Sequence, residues 1–370
     1  MIEGADDAQQ AEWIRRQMPR LGAALIRLPS LEGRRIAFSM HLDPKMIPFV
    51  EGVMSRGAEV FLTTCNPDTV REAVVAHLKR RGAQVRAEAG MSQAEYAASA
   101  QAALEWGPDH LCEMGGDLSA AFQRGPYRPD VRAGLEATGS GVSRIEAIEP
   151  PYPVFNWDDL PVKEGLHNRY MVGLSAWHTF FRRTGLTLHE KRVLVVGYGD
   201  VGAGVAQSAR AYGAHVMVAE RDGARRLLAG YAGWELVDLD GDIGRADVVV
   251  TATGAPDVIS APRLERMKDG AFVFNVGHRS EEIDVAYLRR HPTTEIIPFV
   301  EEIALAGKRV YLLAAGSMFN LVAGPGDSLN AFDVTLAVFA EAIGFLVTEG
   351  VHYPAGLHVL PEFVWRAAVS

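Results

Sequence analysis

Cysteine is nearly absent. Cys65 and Cys112 are the only two in 370 residues, which excludes a disulfide framework and fits a reducing compartment. No Cys/His cluster has the spacing of a zinc site, so no metal is expected. Basic charge is not in excess either. The net charge of −9 argues against a nucleic-acid partner, which would need a basic face. No run of about 18 apolar residues occurs, so neither a membrane-spanning helix nor a membrane partner is expected. The first residues carry Glu3 and Asp6 and lack the basic-then-apolar order of a signal peptide, which makes a cytoplasmic location the expectation. Internal repeats and low-complexity tracts are missing as well.

What remains is an ordinary globular composition, 48% hydrophobic and 22% charged, in a chain long enough for two domains. Strand-like and helix-like segments alternate almost throughout, the pattern of α/β domains with parallel sheets. Strands are expected at 35–40, 59–63, 110–114, 192–196, 215–219, 247–251, 271–276 and 309–314. Helices are expected at 44–55, 68–81, 92–104, 165–183, 201–212, 261–267, 285–290 and 331–345. The turn Gly115-Gly116-Asp117 follows a strand but has no phosphate fingerprint. Two breaks stand out, Glu149-Pro150-Pro151-Tyr152-Pro153 and Gly324-Pro325-Gly326-Asp327.

The most specific local signal is Val195-Val196-Gly197-Tyr198-Gly199-Asp200-Val201-Gly202. It lies between an expected strand and an expected helix, and a second strand ends at Glu220. Gly197 permits the tight turn, Gly199 lets backbone approach a pyrophosphate, and Gly202 lets helix and strand pack closely. Asp200 and Val201 open the helix, whose free N–H groups face the phosphates. Glu220 is placed to accept from a ribose hydroxyl. A carboxylate there favours NAD over NADP, with Arg221 beside it leaving NADP as the alternative.

Longer stretches carry a family resemblance. Gly197-Tyr198-Gly199-Asp200-Val201-Gly202, Asn275-Val276-Gly277-His278 with Glu282-Ile283-Asp284-Val285, and Lys163 with Asn168-Arg169-Tyr170 resemble S-adenosylhomocysteine hydrolase. So do Ser39-Met40-His41, Gly57-Ala58-Glu59-Val60, Cys65-Asn66, Gly115-Gly116-Asp117-Leu118 and His358-x-Leu360-Pro361. The match runs from about residue 30 to 363.

The resemblance implies two doubly wound parallel-sheet domains, the second an inserted NAD-binding Rossmann domain. The expected bounds are 1–170 for the first part of a substrate domain, 171–327 for the Rossmann domain and 328–370 for a returning C-terminal helix. It implies bound NAD, a nucleoside-like substrate and a homo-oligomer. It also implies the chemistry: NAD oxidises a ribose 3′-hydroxyl, a thiol leaves from C5′, water adds, and the ketone is reduced again. Lys163 matches a lysine near the oxidised hydroxyl, and Asn168 a residue that orients it. His41 matches a histidine near C5′, and His278 one close to the sugar and nicotinamide. Asn275 and Asn320 match cofactor-side residues, Asn320 facing the amide. On the residues alone, Lys163 reads as a solvated side chain, and His41 reads equally as a hydrogen-bonded core histidine.

Departures from the family's pattern cluster among the residues matched to its chemistry. An aspartate before the Gly-Gly turn is Met114, and a glutamate that holds ribose hydroxyls is Ala137. The threonine and glutamate after the first histidine are Asp43 and Lys45. An aspartate four residues past the lysine is His167, and the histidine of the late glycine-rich turn is Asp327. A cysteine near the nicotinamide is Val172. Methionine transfers no proton, which weakens acid–base work at C4′ and C5′. Lys45 suits an oxo or acidic group instead of an adenine amino group. His167, one turn from Lys163, can serve as a base. A C-terminal tail that in the family reaches a neighbour's NAD has no counterpart before Ser370, so weaker NAD retention is expected. These swaps suggest a pocket re-specified for a different nucleoside-like substrate, with Asp43, Lys45, Met114 and Asp327 as substrate-side residues. Two alternatives stay open: a true S-adenosylhomocysteine hydrolase, and an NAD-binding paralogue without catalysis.

Overall fold

The structure, a computed structural model, describes residues 7–278 and 280–370. The first six strands are β1 (Arg35–Ser39), β2 (Glu59–Thr63), β3 (Gln84–Val85), β4 (His110–Glu113), β5 (Ala133–Glu136) and β6 (Pro153–Asn156). Then come β7 (Arg192–Val196), β8 (His215–Ala219), β9 (Glu235–Leu236), β10 (Val248–Thr251) and β11 (Ala271–Asn275). The last four are β12 (Thr293–Ile297), β13 (Val300–Leu305), β14 (Lys308–Leu313) and β15 (Gly356–Val359). They build two sheets in two compact units. One unit is the chain up to Lys163 with Leu329–Ser370, and the other is Glu164–Ser328.

The first unit holds a parallel sheet in the order β3-β2-β1-β4-β5-β6-β15. Strand order reverses at β1, the doubly wound arrangement expected. Its inner strands are buried on both faces, as in a sheet covered by helices on each side. The helix Leu329–Thr348 is the spine of this core. Its Phe339 stacks on Phe49 with ring centroids 4.5 Å apart and on Trp157 at 5.1 Å. This helix has the length and apolar composition of a membrane span, yet most of it is buried inside the unit. Its Asp333 carboxylate accepts from the backbone N–H of Arg20 at 3.2 Å and of Leu21 at 2.8 Å, capping the helix Pro19–Arg27. β6 begins at the last proline of an expected break. Its residues are buried between β5 and β15, so tertiary packing overrides the local turn signal.

The second unit orders its strands β9-β8-β7-β10-β11-β14-β13-β12. The six from β9 to β14 are parallel and follow the dinucleotide-binding order, reversing at β7. β13 then runs antiparallel to both β14 and β12, a departure from the all-parallel expectation. The cause is local. Only Ala306 and Gly307 join β13 to β14, with φ of 51° and 79°, the left-handed pair that a tight hairpin demands.

The helix expected at 165–183 is two pieces. Lys163–Met171 winds as a π-helix, and an α-helix, Val172–Thr184, continues it. Isolated π segments concentrate at functional sites. The segment lies hard against the helix Asp200–Ala211. A Cβ on Gly204 would stand 2.1 Å from the Arg169 carbonyl, and one on Gly173 would stand 2.6 Å from the Gly204 carbonyl. That packing draws residues 164–170 into the second unit, ahead of the boundary expected at 170.

Candidate active site

The glycine turn after β7 separates into two kinds of glycine. Gly197 has φ +97°, and a Cβ there would meet the Ala252 carbonyl at 2.7 Å. A Cβ on Gly202 would meet the Gly197 carbonyl at 2.0 Å. Both are demanded by the fold. Gly199 is not: its φ is −75°, and the nearest group to a Cβ there is the Arg225 guanidinium at 3.6 Å. The missing side chain leaves space beside the N-terminus of the helix Asp200–Ala211, where Asp200 and Val201 form the first turn. Arg225 adds a cation that the motif alone did not reveal. Its backbone N–H is bound by the Asp222 cap at 2.9 Å, which fixes the start of the helix Gly223–Tyr231.

Glu220 ends the second strand as expected. It accepts from the Tyr198 N–H at 2.6 Å and the Asp222 N–H at 2.8 Å, so it shapes the turn itself. A carboxylate has about four lone-pair sites and keeps capacity for a ribose hydroxyl. Glu220→Ala is expected to weaken NAD binding about tenfold to a hundredfold, the loss of a charged hydrogen bond. Titration with NAD followed by protein fluorescence checks this, and unchanged affinity contradicts it.

Across the strand ends, the buried Glu282 accepts from Thr253 N and Oγ1 and from Gly254 N, at 2.7–2.9 Å. Burial pushes its carboxyl up, against the pull of these donors. Asn275 is engaged in its own turn. Its Oδ1 accepts from Gly277 N at 2.7 Å and Thr251 Oγ1 at 3.1 Å, while Nδ2 donates to Gly277 O at 3.0 Å. It therefore shapes the loop that carries the half-buried His278.

Asn320 follows a strained approach. Ala314, Ala315 and Gly316 have φ of 48°, 51° and 82°, and left-handed alanines are costly. Asn320 is 3% exposed; its Nδ2 donates to Ser175 Oγ at 3.1 Å, and its Oδ1 has no partner among the described residues. A buried orphan acceptor costs about 1–3 kcal/mol, which a ligand N–H recovers. The residues present thus fit a dinucleotide: open space at Gly199, a cation at Arg225, a carboxylate at Glu220 and a waiting acceptor at Asn320.

Two of the departures meet in this unit. His167 Nε2 lies 2.8 Å from Asp327 Oδ2, and both side chains are buried. Asp327 Oδ1 accepts from Ser175 Oγ at 2.7 Å. Lys163, by contrast, pairs with Asp158 at 3.4 Å, within the first unit. The two side chains expected to act from one helical face thus have different carboxylate partners. The π-helix, with its i→i+5 bonding, alters the spacing that an α-helix would give them. Asn168 lies in the same π-helix.

In the first unit, β1 and β4 are the neighbours at the strand-order reversal, the edge where open α/β sheets bind ligands. His41 follows β1. Its Nδ1 is 2.9 Å from Thr69 Oγ1, whose own proton goes to the Asn66 carbonyl at 2.8 Å. Thr69 therefore accepts, Nδ1 donates, and Nε2 is the basic nitrogen. Asp43 caps the short turn Pro44–Met46 by accepting from Lys45 N at 2.8 Å. Lys45 Nζ stands 3.3 Å from Asp43 Oδ2 and 4.9 Å from the Phe332 ring centre, with the residue 6% exposed. Met114 follows β4, donates its N–H to the Ser39 carbonyl at 2.9 Å and packs against the core. Ala137 follows the neighbouring β5 and is buried, its N–H on the Glu113 carbonyl at 3.2 Å.

Two buried carboxylates escaped the sequence reading, Glu113 and Glu136, paired across β4 and β5. Glu136 accepts from the N–H groups of Gly115, Gly116, Ala137 and Thr138, and Glu113 from those of Leu118 and Ser119. They hold the Gly-Gly turn. Burial raises both, to about 7 for Glu113 and about 8 for Glu136, with the charge of Glu113 adding to the rise at Glu136. A carboxyl whose folded value is raised binds more protons folded than unfolded. Its contribution to stability is therefore lost as pH climbs from about 5 through 8. The melting temperature is expected to fall by several degrees over that range, and Glu113→Gln to flatten the decline. A Tm that rises with pH in that window contradicts this.

Comparison with known proteins agrees with this geometry. Residues 12–141 match the family model described as S-adenosyl-L-homocysteine hydrolase, and residues 168–326 match that of its NAD binding domain. The chain is 36% identical to S-inosyl-L-homocysteine hydrolase of Methanopyrus kandleri, over 95% of this chain and 86% of that protein. It is 33% identical to adenosylhomocysteinase of Archaeoglobus fulgidus, over 96% and 90%. A second S-inosyl-L-homocysteine hydrolase, from Methanocaldococcus jannaschii, is 30% identical over 92% and 84%. Among solved structures, a dipicolinate synthase from Bacillus halodurans shares the fold, with a TM-score of 0.53 at 14% identity over 86% of this chain and all of that one. The chain belongs to the S-adenosyl-L-homocysteine hydrolase family and is an NAD-dependent enzyme of it.

Proposed function

We propose that the enzyme cleaves a 6-oxopurine nucleoside thioether of the S-inosyl-L-homocysteine type, through oxidation of its ribose 3′-hydroxyl. The observation that carries this is the Asp43–Lys45 pair at the end of β1. Adenine presents a donor at N6 and an acceptor at N1. A 6-oxopurine presents the reverse, an acceptor at O6 and a donor at N1. Where the resemblance gives the family a glutamate and a threonine, this chain has an ammonium that can only donate and a carboxylate that only accepts. Lys45 would donate to O6 and Asp43 would accept from N1–H. Against adenine both contacts become repulsive. Two relatives, from Methanopyrus kandleri and Methanocaldococcus jannaschii, carry the name S-inosyl-L-homocysteine hydrolase, which supports this reading.

Bound NAD supplies reversible hydride transfer at C3′. By the resemblance, Lys163 takes the hydroxyl proton, and Asn168 and His278 serve the same sugar. Met114 carries no proton, so His41, basic at Nε2, handles proton transfer at the leaving sulfur and the entering water. The test is cofactor reduction by free nucleosides. Inosine is expected to reduce enzyme-bound NAD with at least about a hundredfold advantage over adenosine, since a site built for one hydrogen-bond pattern rejects its reverse. Preference for adenosine overturns the proposal and favours S-adenosylhomocysteine as substrate.

A further inference from the structure

Four polar side chains form one buried chain in the second unit: His167, Asp327, Ser175 and Asn320. Their chemistry fixes the direction of each bond. Ser175 Oγ faces the Asp327 carboxylate at 2.7 Å and the Val172 carbonyl at 2.9 Å. Neither has a proton to give, so the serine hydroxyl donates toward them and accepts from its remaining neighbour, Asn320. Asn320 must then turn its Nδ2 to Ser175, which leaves Oδ1 as the outward acceptor with no partner among the described residues. An amide alone can flip; this one cannot without setting Oδ1 against Ser175 Oγ, whose proton is already committed.

At the other end, His167 Nε2 donates to the second oxygen of Asp327. The carboxylate is thus held from both sides, by a residue of the π-helix and by one of the α-helix that continues it.

We propose that His167, Asp327 and Ser175 are positioning residues for the cofactor, a relay that locks the Asn320 amide so that it accepts from the nicotinamide carboxamide NH2. The inference rests on Asn320 meeting that carboxamide. It also reinterprets two departures from the family's pattern as one. An aspartate and a histidine have exchanged places, and the exchange preserves the relay. With Asp at 167 and His at 327, the imidazole would donate to the carboxylate from one nitrogen and accept from Ser175 with the other. Asn320 would be held the same way.

The test uses cofactor binding by the full chain, with three probes. NAD has the carboxamide NH2; 3-acetylpyridine adenine dinucleotide replaces that NH2 with a methyl group; ADP-ribose lacks the ring and reports whether the adenosine half still binds. The wild-type protein is expected to prefer NAD over the acetylpyridine analogue by about tenfold, one hydrogen bond to a buried acceptor. Ser175→Ala and Asp327→His are each expected to shrink that preference toward unity while ADP-ribose affinity stays within about twofold. The double variant His167→Asp/Asp327→His is expected to restore it. A merely structural role would lower all three affinities together and would not be rescued by the exchange. No preference in the wild-type protein overturns the placement of Asn320 and the relay with it. A wild-type preference that persists in Ser175→Ala overturns the relay alone. Loss of ADP-ribose binding in both Ser175→Ala and Asp327→His marks the chain as structural and overturns it also.

Discussion

Replacing Asp43 by threonine and Lys45 by glutamate together is expected to reverse base selection. The ratio of kcat/KM for S-inosyl-L-homocysteine over S-adenosyl-L-homocysteine should fall by about 10³–10⁴, two reversed hydrogen bonds at a desolvated edge. Lys45→Glu alone should remove roughly half of that on a logarithmic scale. The double variant is designed to keep the fold. Threonine still offers a capping oxygen to the turn Pro44–Met46, where Asp43 now accepts from Lys45 N. The loss of the buried Lys45 contact over Phe332 costs about 2 kcal/mol. Paired assays of thiol release on both substrates measure the ratio. A ratio unchanged in the double variant places base recognition elsewhere.

Lys163→Met is expected to leave NAD binding intact and to slow cofactor reduction by substrate about 10²–10⁴-fold, the usual contribution of a positioned proton acceptor. Methionine preserves the length and apolar stem of the lysine. Breaking the pair with Asp158, 3.4 Å apart with both side chains largely buried, costs up to about 3 kcal/mol, so a melting curve of the variant accompanies the assay. Stopped-flow absorbance of reduced nicotinamide reads the step directly, apart from product release. Reduction at the wild-type rate removes Lys163 from the chemistry.

The sequence exposed features whose causes are local. The fingerprint places β7, β8 and the intervening helix within a residue of their observed ends, because each glycine's role is set by its nearest neighbours. Tertiary causes were hidden. Pro153 begins a buried strand because β5 and β15 flank it, which no local signal announces. Nothing in the sequence singles out Glu113 and Glu136, which parallel pairing puts side by side. The π-helix arises where Arg169 is pressed against Gly204, a contact between segments far apart in the chain. In the sequence His167 reads as a candidate base and Asp327 as a substrate-side residue. Their 2.8 Å separation, which joins them in one pair, is visible only in the folded chain. Lys45 alone suggested an oxo group. Asp43, 3.3 Å away, sets an acceptor beside that cation, and the proposed base recognition rests on the pair.

Action on a 6-oxopurine thioether is what we propose for this family member. Its most direct test is thiol release by the purified enzyme, supplied with NAD, from S-inosyl-L-homocysteine and S-adenosyl-L-homocysteine in parallel. The account predicts turnover of the inosyl substrate at an ordinary enzymatic rate, about 1 s⁻¹ or more, with the adenosyl substrate at least about a hundredfold poorer in kcat/KM. Equal or better turnover of S-adenosyl-L-homocysteine would contradict it.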